Sequence, residues 1–283
     1  HWASWTHGRT NPTEQNPQPS PITMYQTLEI ERNGRIATVW MNRPDVHNAF
    51  DESLIAELTA ACEALDQDDS VRVVVLAGRG KSFSAGADLN WMKRAAQNGV
   101  EDNLRDARAL ARMLRVLAEM KKPTIARVQG AALGGGTGLT AACDIAVAST
   151  KAVFATSEVK FGIIPAAISP YVVRAIGARQ SYRYFQSAER IDAVRARELG
   201  LVHEAVEPEH LDAKVQEIVD ALIQGGPLSQ AAAKDLIRAV DNKPINDAVV
   251  EDTAQRIAGL RATPEAQDGL SAFLDKRQPG WLA

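Results

Sequence analysis

Two glycine-bearing segments of this 283-residue chain have the composition and setting for chemistry: Ser82-Phe-Ser-Ala-Gly-Ala-Asp-Leu89 and Gly130-Ala-Ala-Leu-Gly-Gly-Gly-Thr-Gly138. Each follows a run that reads as a buried strand, Val71-Arg-Val-Val-Val-Leu-Ala77 and Thr124-Ile-Ala-Arg-Val128. Each also opens into a helical pattern, from Asp88 and from Gly136. Chain that turns sharply and then starts a helix leaves backbone N–H groups without acceptors, aimed outward. Two such groups converging on one oxygen stabilise negative charge developing on a carbonyl. Either segment alone is an ordinary strand-to-helix turn; the pair points to chemistry.

A polarised carbonyl also calls for a group that moves protons. Glu158 follows Phe154-Ala-Thr-Ser, after a short strand, and precedes the apolar run Phe161-Gly-Ile-Ile-Pro165. In isolation it would read as a solvated glutamate. Beside that run it is expected to be partly desolvated, which raises its pKa toward the useful acid–base range. Other candidates fare worse. Gly80-Lys-Ser82 lacks the earlier glycine of a phosphate loop, since Val75 stands there. Ser82-Phe-Ser84-Ala-Gly86 misses the nucleophile elbow at its first glycine, and His203 and His210 have no supporting acid motif. The triple glycine fails the dinucleotide fingerprint at Leu139. No histidine pair has metal-ligand spacing, so no metal is expected, and Asp88 reads as a helix cap.

The elements that must position these residues are legible in outline. Alternation over 27–32 and 36–41 brackets Asn33-Gly34, a two-residue hairpin turn. Helices are expected from Asp51 to about Leu65, from Asp88, and from about Asn103 to Met120, where Pro123 ends the helical run and opens a strand to Val128. A short helix over 136–143 leads into strands at Ile145–Ala148 and Ala152–Phe154. From Ser169 the pattern turns helical, over 169–176, 178–186, 192–199, 208–224, 229–241, 246–260 and 264–275. The reading is an α/β core over 24–200 followed by a helical region over 201–283. Residues 1–23, proline-rich and aperiodic, read as an extension without chemistry, with Met24 the expected functional beginning.

Composition narrows the function classes. Hydrophobic content of 45% and charged content of 24% are those of a globular chain with a substantial core. A net charge of −3 without a basic stripe argues against nucleic acid as partner. No run approaches the length of a membrane span and no signal-peptide core is visible, so the cytoplasm is the expected compartment. Cys62 and Cys143, inside apolar helical runs, suit a reducing environment.

Five segments, in order, resemble the crotonase (enoyl-CoA hydratase/isomerase) superfamily: Met41-Asn-Arg-Pro-Asp-Val-His-Asn-Ala-Phe50, Phe83–Leu89, Lys122–Gly130, Gly134–Ile145 and Phe154–Glu158. The resemblance implies a spiral of ββα turns with C-terminal helices that build a trimer or a dimer of trimers. It implies an acyl-CoA thioester substrate, with coenzyme A part of the substrate and no permanent cofactor. It places the N–H groups of Ala87 and Gly135 in an oxyanion hole and makes Glu158 the second of two catalytic glutamates. The first would fall at Gly138, which has no side chain. The coenzyme A arm is expected along Arg43, Val46, Asn48, Ala85 and Gly86, with Lys276 near its phosphates, often from a neighbouring subunit. Pro165-Ala-Ala-Ile-Ser-Pro-Tyr171, Asp88-Leu-Asn-Trp-Met92 and Gly136-Thr-Gly138 look like the methylglutaconyl-CoA and isohexenylglutaconyl-CoA hydratase subgroup. Such substrates carry a second carboxylate, for which Arg94, Arg127, Lys160 and Arg174 are candidate partners. A double-bond isomerase is the nearest rival, and a non-catalytic CoA-binding protein a more distant one.

Overall fold

The structure, a computed structural model, describes residues 25–283, so the extension and Met24 lie outside the described residues. The chain opens with the antiparallel pair β1 (Leu28–Asn33) and β2 (Ile36–Met41). Asn33 pairs with Ile36, so the turn is Gly34-Arg35, one residue later than Asn33-Gly34. Gly34 takes a φ of 59°, which glycine adopts without strain. Helix α1 (Glu52–Gln67) is capped by the Asp51 carboxylate, which accepts from Leu54 N–H, and buries Leu54, Leu58, Cys62 and Leu65 along one stripe.

Three turns of strand, strand and helix then build the core. The first is β3 (Val73–Gly78), β4 (Ser84–Ala85), α2 (Leu89–Ala95) and α3 (Val100–Ala118). The second is β5 (Thr124–Val128), β6 (Ala131–Leu133) and α4 (Gly135–Ala142); the third is β7 (Ile145–Ser149), β8 (Val153–Ala155) and α5 (Ser169–Ser187). Each turn lays its long strand beside the previous one in the sheet β1-β2-β3-β5-β7, and its short strand in a second sheet, β4-β6-β8. All contacts between successive turns are parallel. Gly177, at φ 81°, interrupts α5, which therefore consists of the two helical pieces the sequence predicts.

The second sheet closes on β9 (Ile191–Asp192), antiparallel to β8, before α6 (Ala193–Leu199). Then β10 (Glu204–Val206) returns to the first sheet beside β7. Four helices follow: α7 (Leu211–Ile223), α8 (Pro227–Val240), α9 (Asp247–Arg261) and α10 (Pro264–Asp275). The larger core lies between the two sheets and α1, α3, α4 and α5, around Phe83, Phe154, Met113 and Leu114. The outer face of the first sheet, Val73, Val75, Ile125 and Val147, is covered by Leu211, Val215 and Val219 of α7. Strand β3 is buried on both faces, which explains its unbroken apolar run. The two- and three-residue strands β4, β6 and β9 have no sequence signal, because their pairing comes wholly from neighbouring turns.

Candidate active site

The short parallel strands β4, β6 and β8 end along one edge. Their register pairs Ala85 with Leu133 and Leu133 with Ala155. Two residues beyond Ala85 comes Ala87, two beyond Leu133 comes Gly135, and three beyond Ala155 comes Glu158. Adjacent strands lie about 4.8 Å apart, so the register makes neighbours of the three groups that the sequence singled out.

Local geometry aims the two N–H groups. Gly86 N–H donates to Leu133 O at 3.3 Å, while Gly86 C=O accepts from Phe50 N–H at 3.3 Å. That divergence needs the φ of 77° that Gly86 adopts. Since the 86–87 peptide is trans, Ala87 N–H points opposite to Gly86 C=O, away from the Phe50 backbone and toward the β6 side. Gly135 is the first residue of α4, after Gly134 at φ 57°, and its N–H leaves the helix end. Among the described residues, neither Ala87 N–H nor Gly135 N–H has a hydrogen-bond acceptor.

Glu158 opens a short 3-10 turn, Glu158–Phe161, directly after β8. Its carboxylate lies over Gly134: a Cβ built on that glycine would stand 3.3 Å from Glu158 Oε1. Glu158 is half-buried, and Oε1 is shielded from solvent without a hydrogen-bond partner among the described residues. Burial pushes the carboxyl above the usual carboxylate range, and the amides of Glu158 and Ser157 offset only part of that rise. The site therefore combines two free donors with one proton-binding carboxylate.

Gly138, where a second carboxylate was considered, is closed. A Cβ there would lie 2.1 Å from Cγ2 of Ile168, itself 3% exposed. The site has one acid at this place because an isoleucine fills the space of the other. Ile168 lies in the Pro165–Tyr171 segment that the sequence marks out, but its contact with Gly138 joins distant turns and has no signal there.

The residues expected along the coenzyme A arm divide in two. Val46, Ala85 and Gly86 present surface. Asn48 is fully buried: its Nδ2 donates to Arg79 O and Ser82 O at 2.9 Å and its Oδ1 accepts from Arg43 N–H. The Arg43 guanidinium is held between Asp88 at 2.9 Å and Asp51 at 3.2 Å, the caps of α2 and α1. Hydrogen bonding from Arg43 holds the Asp88 carboxyl below the usual range, with help from the Trp91 and Asn90 amides it caps. The side chains of Arg43 and Asn48 are thus occupied in building the loop. Lys276 stands apart, exposed at the C-terminal end of α10 with a φ of 55°.

Of the four cations weighed for a second substrate carboxylate, Arg94 is paired with Glu52 at 2.8 Å. Arg127 is paired with Asp212 at 2.5 Å, behind the first sheet. Lys160 and Arg174 are exposed and make no ion pair among the described residues. Ser84 is fully buried, its Oγ donating to Asn48 O at 2.8 Å, which disposes of a serine nucleophile.

Comparison with known proteins identifies the family. A family model described as Enoyl-CoA hydratase/isomerase matches residues 31–283. The crystal structure of an enoyl-CoA hydratase from Shewanella pealeana is similar with a TM-score of 0.88 and 44% identity, over 91% of this chain and 96% of that one. Crotonyl-CoA hydratase of Syntrophomonas wolfei is 31% identical over 92% of this chain and 99% of its own length. For 2,3-dehydroadipyl-CoA hydratase of Escherichia coli the identity is 32%, over 89% of this chain and 97% of its own. With its ββα turns stacked as the sequence motifs imply, and a family match running to its last residue, this chain belongs to the enoyl-CoA hydratase/isomerase family of the crotonase superfamily.

Proposed function

We propose that the chain is an enoyl-CoA hydratase that adds water across the 2,3 double bond of a CoA thioester through the single carboxylate of Glu158. The observation that carries this is the Glu158 carboxylate, partly desolvated, on the strand edge that also presents the free N–H groups of Ala87 and Gly135. The thioester oxygen sits between those donors, and charge developing on it as the enolate forms is stabilised there. Each such donor contributes about 3–4 kcal/mol to lowering the barrier. Ionised Glu158 takes a proton from water as the oxygen adds at Cβ. The carboxylic acid so formed then delivers a proton to Cα, so one group serves both steps in sequence.

The same observation favours one other reading. A double-bond isomerase needs only one base to carry a proton between Cα and Cγ, and Ile168 at Gly138 leaves only one. Hydration is preferred on the relatives, whose names are those of hydratases. Mass spectrometry in ¹⁸O-labelled water decides between them. The expected result with a branched enoyl thioester is loss of the conjugated double bond and one solvent oxygen in the product. Conversion of a 3-enoyl to a 2-enoyl thioester with no added oxygen would establish the isomerase instead.

The acyl group in this reading is branched or dicarboxylic, of the methylglutaconyl type, with Lys160 or Arg174 facing the second carboxylate. The 2,3-dehydroadipyl-CoA relative supports a far carboxylate. Coenzyme A lies along the backbone of Arg43–Asn48 and Ala85–Gly86 and enters only as part of the substrate. Lys276, exposed at the end of α10, reaches the CoA phosphates of a neighbour in a homotrimer or a dimer of trimers. The helical region over 201–283 carries that subunit contact. Residence in the cytoplasm suits the two unpaired thiols, Cys62 and Cys143, both buried.

A further inference from the structure

Phe50 belongs to the loop expected along coenzyme A, yet it is 2% exposed and touches both halves of the donor pair. Its N–H donates to Gly86 O at 3.3 Å and its C=O accepts from Asp88 N–H at 2.8 Å, a parallel bridge centred on Ala87. By holding Gly86 C=O on its own side, Phe50 turns the trans-related Ala87 N–H to the other. Its ring, meanwhile, lies against Gly135. A Cβ built on Gly135 would meet ring carbons at 2.1, 2.6 and 3.0 Å. Gly135 has ordinary helical backbone at the start of α4, so conformation does not require glycine there. The nearest obstacles to a side chain are all atoms of the ring.

We infer that Phe50 is a positioning residue: its backbone orients the Ala87 donor and its ring sets the distance of the Gly135 donor. The inference rests on the oxyanion-hole reading above. It explains why a residue with no group able to enter the reaction stands at the junction of both donors. It also makes the glycine at 135 a consequence of Phe50 rather than of a turn. The wedge acts in one direction: a smaller side chain lets α4 approach β4, moving one N–H relative to the other. Misplacement on the order of 1 Å costs about 10²-fold in rate.

The test uses crotonyl-CoA labelled with ¹³C at the thioester carbonyl, bound to full-length Glu158→Gln protein so that it is not turned over. With Phe50 in place, difference infrared spectroscopy is expected to show the carbonyl stretch moved to lower frequency, as two donors polarise it. In Glu158→Gln proteins that also carry Phe50→Leu or Phe50→Ala, that displacement shrinks, more for Ala than for Leu. In chains that keep Glu158, kcat falls by about 10²-fold for Phe50→Ala, with KM much less affected. Gly135→Ala, which keeps its N–H, loses activity through the ring, and adding Phe50→Ala recovers about tenfold or more of it. Absence of the displacement with Phe50 intact would remove the oxyanion hole and this inference together. A displacement present with Phe50 and unchanged in both folded variants would overturn the inference alone, whatever happens to Tm, because a purely structural residue changes stability and leaves the bound carbonyl as it was.

Discussion

In the proposed mechanism, Glu158 sets catalytic fitness against stability in a single side chain. Burial raises its pKa in the folded chain above the unfolded value of about 4.3. The sign follows from linkage: stabilisation by the bound proton is complete below the unfolded pKa and is lost as pH rises through the folded one. At neutral pH the ionised group therefore weakens the fold. Glu158→Gln is expected to lose about 10²–10⁴-fold in kcat while showing a higher Tm than wild type at pH 7, with the difference closing toward pH 4. Thermal unfolding across pH 4–8 checks the second half independently of activity; a lower Tm for the Gln variant at pH 7 would contradict it. Gly138 answers the converse question, whether an acid can be added. With Ile168 Cγ2 at 2.1 Å from where a Cβ would stand, Gly138→Glu is expected to destabilise by about 1–3 kcal/mol or more. It should bring no gain in turnover, and adding Ile168→Ala should recover stability in urea titrations. An active, equally stable Gly138→Glu protein would show that α5 yields more readily than its buried packing implies.

Short elements do the positioning here, and none would hold its shape alone. Strands β4, β6 and β8 contribute two or three residues each, with parallel pairing to keep their ends level. Helix α2 starts where Asp88 accepts from Asn90 N–H and Trp91 N–H, and Arg43 binds that same carboxylate to the Asp51 cap of α1. Two helix starts and one loop are thereby tied through one guanidinium, which is why Arg43 is 17% exposed by side chain instead of reaching outward. The backbone of Ala87 is the output of this arrangement, so its side chain is the wrong thing to delete. Ala87→Pro removes the N–H itself and is expected to lower kcat by about 10²–10³-fold. Circular dichroism and Tm identify variants that remain folded, and near-normal turnover in such a protein would take Ala87 out of the mechanism.

The finished molecule leaves much apolar surface on its C-terminal helices and around the loop after Glu158. Phe273 is 82% exposed, Leu274 77%, Ile245 89% and Ile164 70%. Exposed apolar side chains of this kind fit association with further copies of the chain. Light scattering is expected to give three or six times the 30.6 kDa chain mass. Phe273→Asp with Leu274→Asp should shift that mass toward the single chain and, on the proposed delivery of Lys276 to a neighbour, raise KM for the thioester more than it lowers kcat. A 30.6 kDa particle at micromolar concentration in the unmodified protein would count decisively against the trimer.

Local chemistry was enough to name the parts. The apolar runs of β3 and β5, the glycine turns behind them, the cap at Asp88 and the helical stripes of α1 and α3 are each written in residues close in sequence, where periodicity and capping act. Glu158 stood out in the sequence because an apolar run follows it, yet Phe161, Ile163 and Ile164 of that run are exposed, so the burial that raises its pKa is set by the fold and not by its chain neighbours. What joins the turns was not legible. Phe50 meets Gly135, and Ile168 meets Gly138, across separations that only the stacked turns close. The side chains of Arg43 and Asn48 face inward for the same reason, each satisfied by partners from other elements. A two-residue strand carries no periodicity of its own, and a glycine forced by a distant ring looks, in sequence, like any other. The sequence therefore determined which groups are candidates for the proposed chemistry, and the tertiary structure decided which of them meet and that Ile168 closes position 138 to a second acid.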